Sequence, residues 1–465
     1  MQQKYDHVLF ISMDTCRADH LGCYGHSRKT TPILSKFCEE NIIFEKSFSS
    51  SVPTLPSHTT VFTSLYQGVH GAEVTLSAPM PEKLTTIAEV LKRQGHITAA
   101  FHSGAQLSEI WNVFKGFDIV NYASTQSIKE TAGFYKEFIE ANKDKKTFGF
   151  VHGLDMHFPH YKPGLFSDEL KVDKQRVIDK INDCDHDLTG EGTKTEVCAL
   201  YDDSIVFFDR HIGTIFDKLK ELGIYDKTII VIFGDHGEEF GERSRMAAHH
   251  KNLFDELIRV PFLLRIPGLE PKKIRTNVRL IDIMPTVLAA MGINEQIIMQ
   301  GENLLPTILG TKSIDLPVFT EYLHRNSYAI SIKTSFLQLI CERESTFLRK
   351  LILRYRSIRK HASKEPSLLR RLAVMTKLLI IKSKSFTEFD TITFCDARSE
   401  ERNKPRLIVA RLGKYERRIV NRLLELISKQ MEENKLLQQE LTGGVKTTVE
   451  LRGEMKKSLE ELNYL

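Results

Sequence analysis

Two short apolar runs constrain this chain most. Val8-Leu-Phe-Ile-Ser12 is followed at once by Asp14, and Lys227-Thr-Ile-Ile-Val-Ile-Phe233 leads directly into Gly234-Asp-His-Gly237. A run apolar at nearly every position is buried on both faces, as a strand is in a parallel sheet covered by helices on both sides. Segments of helical period separate such runs. Thr31-Pro32 can open a helix carrying Ile33, Leu34, Phe37 and Cys38, and Pro81 to Gln94 repeats the pattern with Leu84, Ile87, Ala88 and Leu91 before Gly95. Thr98 to Phe101 and Thr147 to Val151 read as further strands, and Glu196 to Leu222 as a long helix closed by Gly223. The expected fold class is therefore α/β, a large mixed but mostly parallel sheet sandwiched by helices.

The chain's 465 residues exceed the roughly 250 to 300 that one core usually serves. Beyond about residue 330 the texture changes to short strand-like pieces, Ala329 to Ile332 and Phe336 to Ile340, and then to helical sequence from about Glu416. We place a catalytic domain over 1–330 and a smaller α+β subdomain over 331–465, with a basic insertion at about 345–385. No apolar run approaches the roughly 20 residues that span a bilayer, and the seven cysteines show no paired spacing. Both point to a cytoplasmic protein with reduced thiols, Cys16, Cys23 and Cys38 among them.

In open parallel sheets, ligands bind beyond the carboxyl ends of the strands. Asp14 and Asp235-His236 stand at two such ends, about 220 residues apart, and carboxylate and imidazole donors suit a hard or borderline divalent cation. A third element is Val52-Pro-Thr-Leu-Pro-Ser-His58, ahead of the helix-like Thr59-Thr-Val-Phe-Thr-Ser-Leu65. With Pro56 at the first helical position, Thr54 lies at a helix N-terminus, where free N–H groups and the dipole favour an anion. A hydroxyl there beside a cation can act as a nucleophile.

These blocks together resemble the sulfatase family of the alkaline phosphatase superfamily. The resemblance is carried by Asp14-Thr-Cys-Arg-Ala-Asp-His-Leu-Gly-Cys-Tyr-Gly25, Thr54-Leu-Pro-Ser-His58, Gly68-Val-His-Gly71, Asp235-His-Gly-Glu238 and Leu253-Phe-Asp-Glu-Leu-Ile-Arg-Val-Pro261. Arg279-Leu-Ile-Asp-Ile-Met-Pro-Thr286, Gly301-Glu-Asn-Leu-Leu-Pro306 and Ser458-Leu-Glu-Glu-Leu-Asn-Tyr464 extend it. It implies an alkaline-phosphatase-like fold, with Asp14, Thr54, Asp235 and His236 as metal ligands. It also implies Thr54, His58, His157 and His250 as the catalytic set, with His102 near another basic position. Asp155, His160 and His249 are candidates for a second metal.

Two departures redirect the chemistry. Family sulfatases have Cys-x-Pro-Ser-Arg, whose cysteine becomes formylglycine, whereas threonine cannot make that aldehyde. The resemblance therefore tilts the substrate from sulfate toward phosphomonoesters, phosphodiesters or phosphonates, cleaved through a covalent Thr54 intermediate. Thr15 replaces the second aspartate of the usual Asp-Asp pair, which favours manganese or zinc over calcium as the divalent ion. The alternatives are a sulfuric ester hydrolase, a phospho-group transferase acting on lipid or envelope polysaccharide, and a non-catalytic binding protein.

Residues 349–384 carry twelve Lys and Arg against one acid, Glu365, so this segment is +11 and the remainder −6. Leu348, Leu351, Ile352, Tyr355 and Ile358 recur at helical spacing among the basic residues. A solvated helical hairpin, peripheral contact with an anionic membrane and contact with a polyanion all fit that pattern.

Overall fold

The computed structural model describes residues 5–73, 78–183, 193–242, 247–249, 252–313, 315–324, 327–334, 337–344, 391–396 and 414–442. Sixteen strands are present among them: β1 (His7–Met13), β2 (Ile42–Phe44), β3 (Ser47–Phe48), β4 (Ile97–His102), β5 (Ile119–Tyr122), β6 (Thr147–Gly153), β7 (Thr228–Gly234), β8 (Glu239–Phe240), β9 (Ala247–Ala248), β10 (Phe262–Arg265), β11 (Lys272–Ile274), β12 (Val278–Arg279), β13 (Val318–His324), β14 (Ser327–Lys333), β15 (Leu337–Glu344) and β16 (Thr391–Asp396).

Eight of these form one sheet in the order β11-β2-β10-β7-β1-β6-β4-β5. Only β10 runs against its neighbours β2 and β7; the other pairings are parallel. The two apolar runs that open the argument are β1 and β7, adjacent at the centre and buried at every position. Helices cover both faces, and two large apolar clusters result. Phe10, Phe148, Phe150 and Phe233 lie in one, and Leu9, Ile11, Val151 and Ile232 in the other. Successive side chains of a strand point to opposite faces, so β1 feeds both clusters.

The helix Pro32–Glu40 starts where expected, but Thr31 does not cap it; its hydroxyl accepts from Gly22 N–H instead. Its first-turn N–H groups at Ile33 and Leu34 are bonded by the two carboxylate oxygens of Asp209, which projects from the long helix Thr193–Glu221. The helix expected from Pro81 begins only at Ile87, because Thr86 and Glu89 form a reciprocal capping box that fixes its start.

The smaller sheet, β13-β14-β15-β16, is antiparallel and starts at Val318, ahead of the expected boundary near 330. Its earlier start has a physical cause. β13 bonds back to the chain just before Thr54: Glu321 N–H donates to Ser50 O at 3.0 Å and Val52 N–H to Glu321 O at 3.3 Å. The C-terminal helix Lys414–Thr442 packs on this sheet through Leu423 and Ile427. Asn434 on that helix donates to the buried Glu321 carboxylate at 2.8 Å. The subdomain thus braces the approach to the candidate nucleophile. The basic segment at 349–384 and the block from Ser458 to Tyr464 lie outside the described residues.

Replacing Asp209 with Ala leaves two buried helix N–H donors unpaired. We expect a loss of about 1–3 kcal/mol in urea unfolding, with the metal-binding stoichiometry unchanged.

Candidate active site

The registers of β1, β6 and β7 bring three chain segments to one level. Met13 stands opposite Gly153 on one side and Gly234 on the other. The residues that follow, Asp14, the loop 154–160 and Asp235-His236, therefore emerge side by side at the carboxyl edge of the sheet. The fourth component is the helix Thr54–Thr63, whose residues are all buried. It begins at Thr54, not at Pro56; Pro56 falls within the first turn, where no intrahelical donor is missed. Two of its hydroxyls are satisfied within the helix, Thr59 donating to Leu55 O at 2.8 Å and Thr63 to Thr59 O at 2.7 Å.

Asp14, Asp235 and His236 each present a ligand atom within 4.8 Å of the others, and Thr54 Oγ1 lies 3.3 Å from Asp14 Oδ2 and 3.2 Å from His236 Nε2. Hydrogen bonds to backbone groups fix which atoms are available. His236 Nδ1–H donates to Gly237 O at 2.9 Å, so Nε2 carries a lone pair toward Thr54. Asp235 Oδ1 accepts the N–H groups of Thr15 at 3.0 Å and His236 at 2.8 Å. Its Oδ2, like Oδ1 of Asp14, is buried with no hydrogen-bond partner.

Burial pushes the pKa values of Asp14 and Asp235 up, and the proximity of the two adds to the effect at Asp235. For His236, burial acts downward, but the carboxylates of Asp235 and Asp14 outweigh it and hold its pKa above the ordinary value. Two carboxylates and an imidazole lone pair converge here in a dry site. An uncompensated pair of buried carboxylates is costly, so the donor set fits a divalent cation held by Asp14, Asp235, His236 and Thr54. Gly237 is required by close approach: a Cβ there would collide with the carbonyl oxygen of Glu256.

Sequence reasoning missed His152. Ser103 N–H donates to its Nδ1 at 3.3 Å, so the ring proton is on Nε2 and is donated to Asp14 Oδ2 at 3.0 Å. That bond fixes the Asp14 carboxylate, whose Oδ2 also lies 3.3 Å from Thr54 Oγ1. The signal was a lone histidine inside the otherwise apolar strand β6, one residue before its end.

His58 needs correction. The resemblance puts it in the catalytic set, but its Nδ1–H donates to Thr54 O at 2.7 Å and its Nε2 accepts from Ser12 Oγ at 2.7 Å. It is completely buried, and burial lowers its pKa to about 3. It is a neutral strut that ties the first turn of the Thr54 helix to β1. His157 is buried beside the site, its pKa lowered to about 4 by burial and by His249. His249 packs against both His157 and His236, with ring centroids 4.9 Å from each. His250, the favoured partner in the sequence, lies outside the described residues. His102 sits at the end of β4 against Phe114 and Tyr122.

The second metal site expected from Asp155, His160 and His249 does not assemble. Asp155 accepts from Ser127 Oγ and Ile128 N–H, both at 2.7 Å, and so caps the helix Ile128–Ala141.

The model of the family described as Sulfatase matches residues 6–293, more than half the chain. This chain belongs to the sulfatase family. Among its relatives is the uncharacterized sulfatase YidJ of Escherichia coli, 22% identical over 65% of this chain and 71% of that protein. Across the first curated relatives the chain spans between 47% and 71% of their length. In fold, it is similar to BT4656, whose structure holds its substrate D-glucosamine-2-N,6-O-disulfate. The TM-score is 0.69 at 17% identity, covering 92% of this chain and 99% of that one. The phosphonate monoester hydrolase of Agrobacterium radiobacter superposes with a TM-score of 0.59 at 18% identity, over 82% and 96%. Among the described residues, no helix is long and apolar enough to cross a membrane.

Because His152 orients a ligand without touching the ion, His152→Ala should weaken manganese or zinc binding about 10- to 100-fold. Metal titration followed by calorimetry checks this.

Proposed function

We propose that this protein is a metal-dependent phosphoester or phosphonoester hydrolase with Thr54 as its covalent nucleophile. The observation that carries the reading is the placement of Thr54 Oγ1 at the first turn of a buried helix, within 3.3 Å of Asp14 and 3.2 Å of His236. A divalent ion held by Asp14, Asp235, His236 and Thr54, with manganese and zinc favoured, would lower the hydroxyl pKa and neutralise charge on the substrate.

The chain's own residues then supply the rest. Thr54 Oγ1, its proton released to solvent, attacks the phosphorus as the bond to the leaving oxygen breaks. His157 and His249 lie where they can hold the non-bridging oxygens, and His250 gives a proton to the leaving oxygen. Water next attacks the phosphorus, the bond to Thr54 Oγ1 breaks, and the threonine is regenerated. His58 holds the carbonyl of Thr54 and so keeps Oγ1 aimed along the line of attack.

Threonine at this position supports phosphorus over sulfur. It has no second hydroxyl with which to expel a bound sulfate, so release must come from attack by water. An anionic ester is the substrate class. The rival readings, a sulfuric ester hydrolase and a phospho-group transferase, share the same site and differ in the acceptor and the central atom.

The test is a matrix of p-nitrophenyl phosphate, bis-p-nitrophenyl phosphate, p-nitrophenyl phenylphosphonate and p-nitrophenyl sulfate, each with manganese, zinc or calcium. We expect a phosphorus ester to be the best substrate. We also expect Thr54→Ala to lose at least about 10³-fold in kcat, while Thr54→Ser retains measurable turnover. Sulfate as the best substrate would overturn the preference, and wild-type turnover in Thr54→Ala would overturn the nucleophile.

A further inference from the structure

Outside the active site, one other cluster of described residues brings metal-ligating side chains together. His20 and His26 come from the tight loop between β1 and the helix Pro32–Glu40, and Asp202 from the middle of the long helix. One ligand atom from each lies within 4.8 Å of the other two. His20 Nδ1 is 2.7 Å from Asp202 Oδ1 and His26 Nε2 is 3.1 Å from Asp202 Oδ2. The two imidazoles stack with centroids 4.9 Å apart.

We propose that His20, His26 and Asp202 form a second, structural metal site for a borderline divalent ion such as zinc. Two imidazole nitrogens and one carboxylate oxygen are three of the four donors that zinc takes, and the histidines, 12% and 18% exposed, reach solvent enough to leave the fourth position to water. The site is preorganised. The Asp202 carboxylate is almost fully buried, and the loop is pinned by Thr30 Oγ1 donating to His20 O at 2.7 Å and by His26 N–H donating to Leu21 O at 3.2 Å.

Arg28 Nη1 also lies 2.7 Å from Asp202 Oδ2. The guanidinium neutralises the carboxylate. It is about one-third exposed and rests over the ring of Phe166 at 5.1 Å, so it can release the carboxylate without losing all its support. Binding an ion requires that Arg28 withdraw and that His20 Nδ1 and His26 Nε2 turn their hydrogen bonds with Asp202 over to the ion.

The site would brace the catalytic edge. His20 packs edge-on against Tyr201, whose hydroxyl donates to Thr15 O at 2.7 Å and accepts from Arg17 N–H at 2.8 Å. An ion at His20 and Asp202 would therefore stiffen the turn that follows Asp14.

Cobalt titration of the full chain tests the proposal, read as metal equivalents after dialysis and as the visible absorption of low-coordinate cobalt. Wild type is expected to take two equivalents, Asp235→Asn one, and His26→Ala one with loss of the absorption of the second site. Arg28→Gln separates the two meanings of the cluster. If the site is for a metal, removing the competing cation tightens binding on the order of tenfold. If the cluster is only an ion-paired clasp, Arg28→Gln lowers thermal stability and the chain takes one equivalent with or without Arg28. One equivalent in wild type, lost in Asp235→Asn and retained in His26→Ala, would overturn the proposal.

Discussion

Two buried carboxylates at the ends of adjacent parallel strands, Asp14 after β1 and Asp235 after β7, set the terms for the rest of the molecule. Neither can be left as a bare anion in a dry interior. Part of their charge is met by hydrogen bonds, from Thr15 and His236 N–H to Asp235 and from His152 to Asp14. Those bonds leave the other oxygen of each carboxylate with no hydrogen-bond partner, in a cluster where Thr54 Oγ1 also lies close to Asp14 Oδ2 and His236 Nε2. The demand for a cation is built into the fold.

The surrounding layers hold that arrangement in place. Backbone carbonyls fix the tautomers of His236 and His58, and a backbone N–H fixes that of His152. Three imidazoles thus have distinct partners: His236 presents Nε2 to Thr54 Oγ1, His58 props the Thr54 carbonyl and His152 holds Asp14. The small antiparallel sheet reaches the same place from outside, since β13 hydrogen-bonds the segment that delivers Thr54. The division into a catalytic domain and an accessory one is therefore less sharp than the change in sequence texture near 330 suggests.

Much of this was legible in the sequence because it is local. An apolar run closed by an acid can be read residue by residue, and β1 and β7 are where the pattern puts them. So is the long helix, whose apolar spacing persists over many turns. Boundaries moved where a side chain made a bond the pattern does not encode. Thr86 and Glu89 delayed one helix start, and Thr31 gave its hydroxyl to Gly22 instead of capping its own helix.

The sequence by itself determined the α/β sheet, the candidate ligand set Asp14, Thr54, Asp235 and His236, and the threonine that tilts the chemistry away from sulfate. The sheet and the strand-end acids follow from residue type and position along the strand; the full ligand set and the tilt toward phosphorus follow from the resemblance to the sulfatase family. Only the tertiary structure decided what each histidine is for. His58 was read as part of the catalytic set and is a buried strut, His152 was not read at all, and Asp155 caps a helix instead of binding a metal. The reason is physical: a side chain's role depends on which of its atoms are already bonded. Those partners, such as Ser12 for His58 and Asp14 for His152, lie 46 and 138 residues away and meet only when the sheet is assembled.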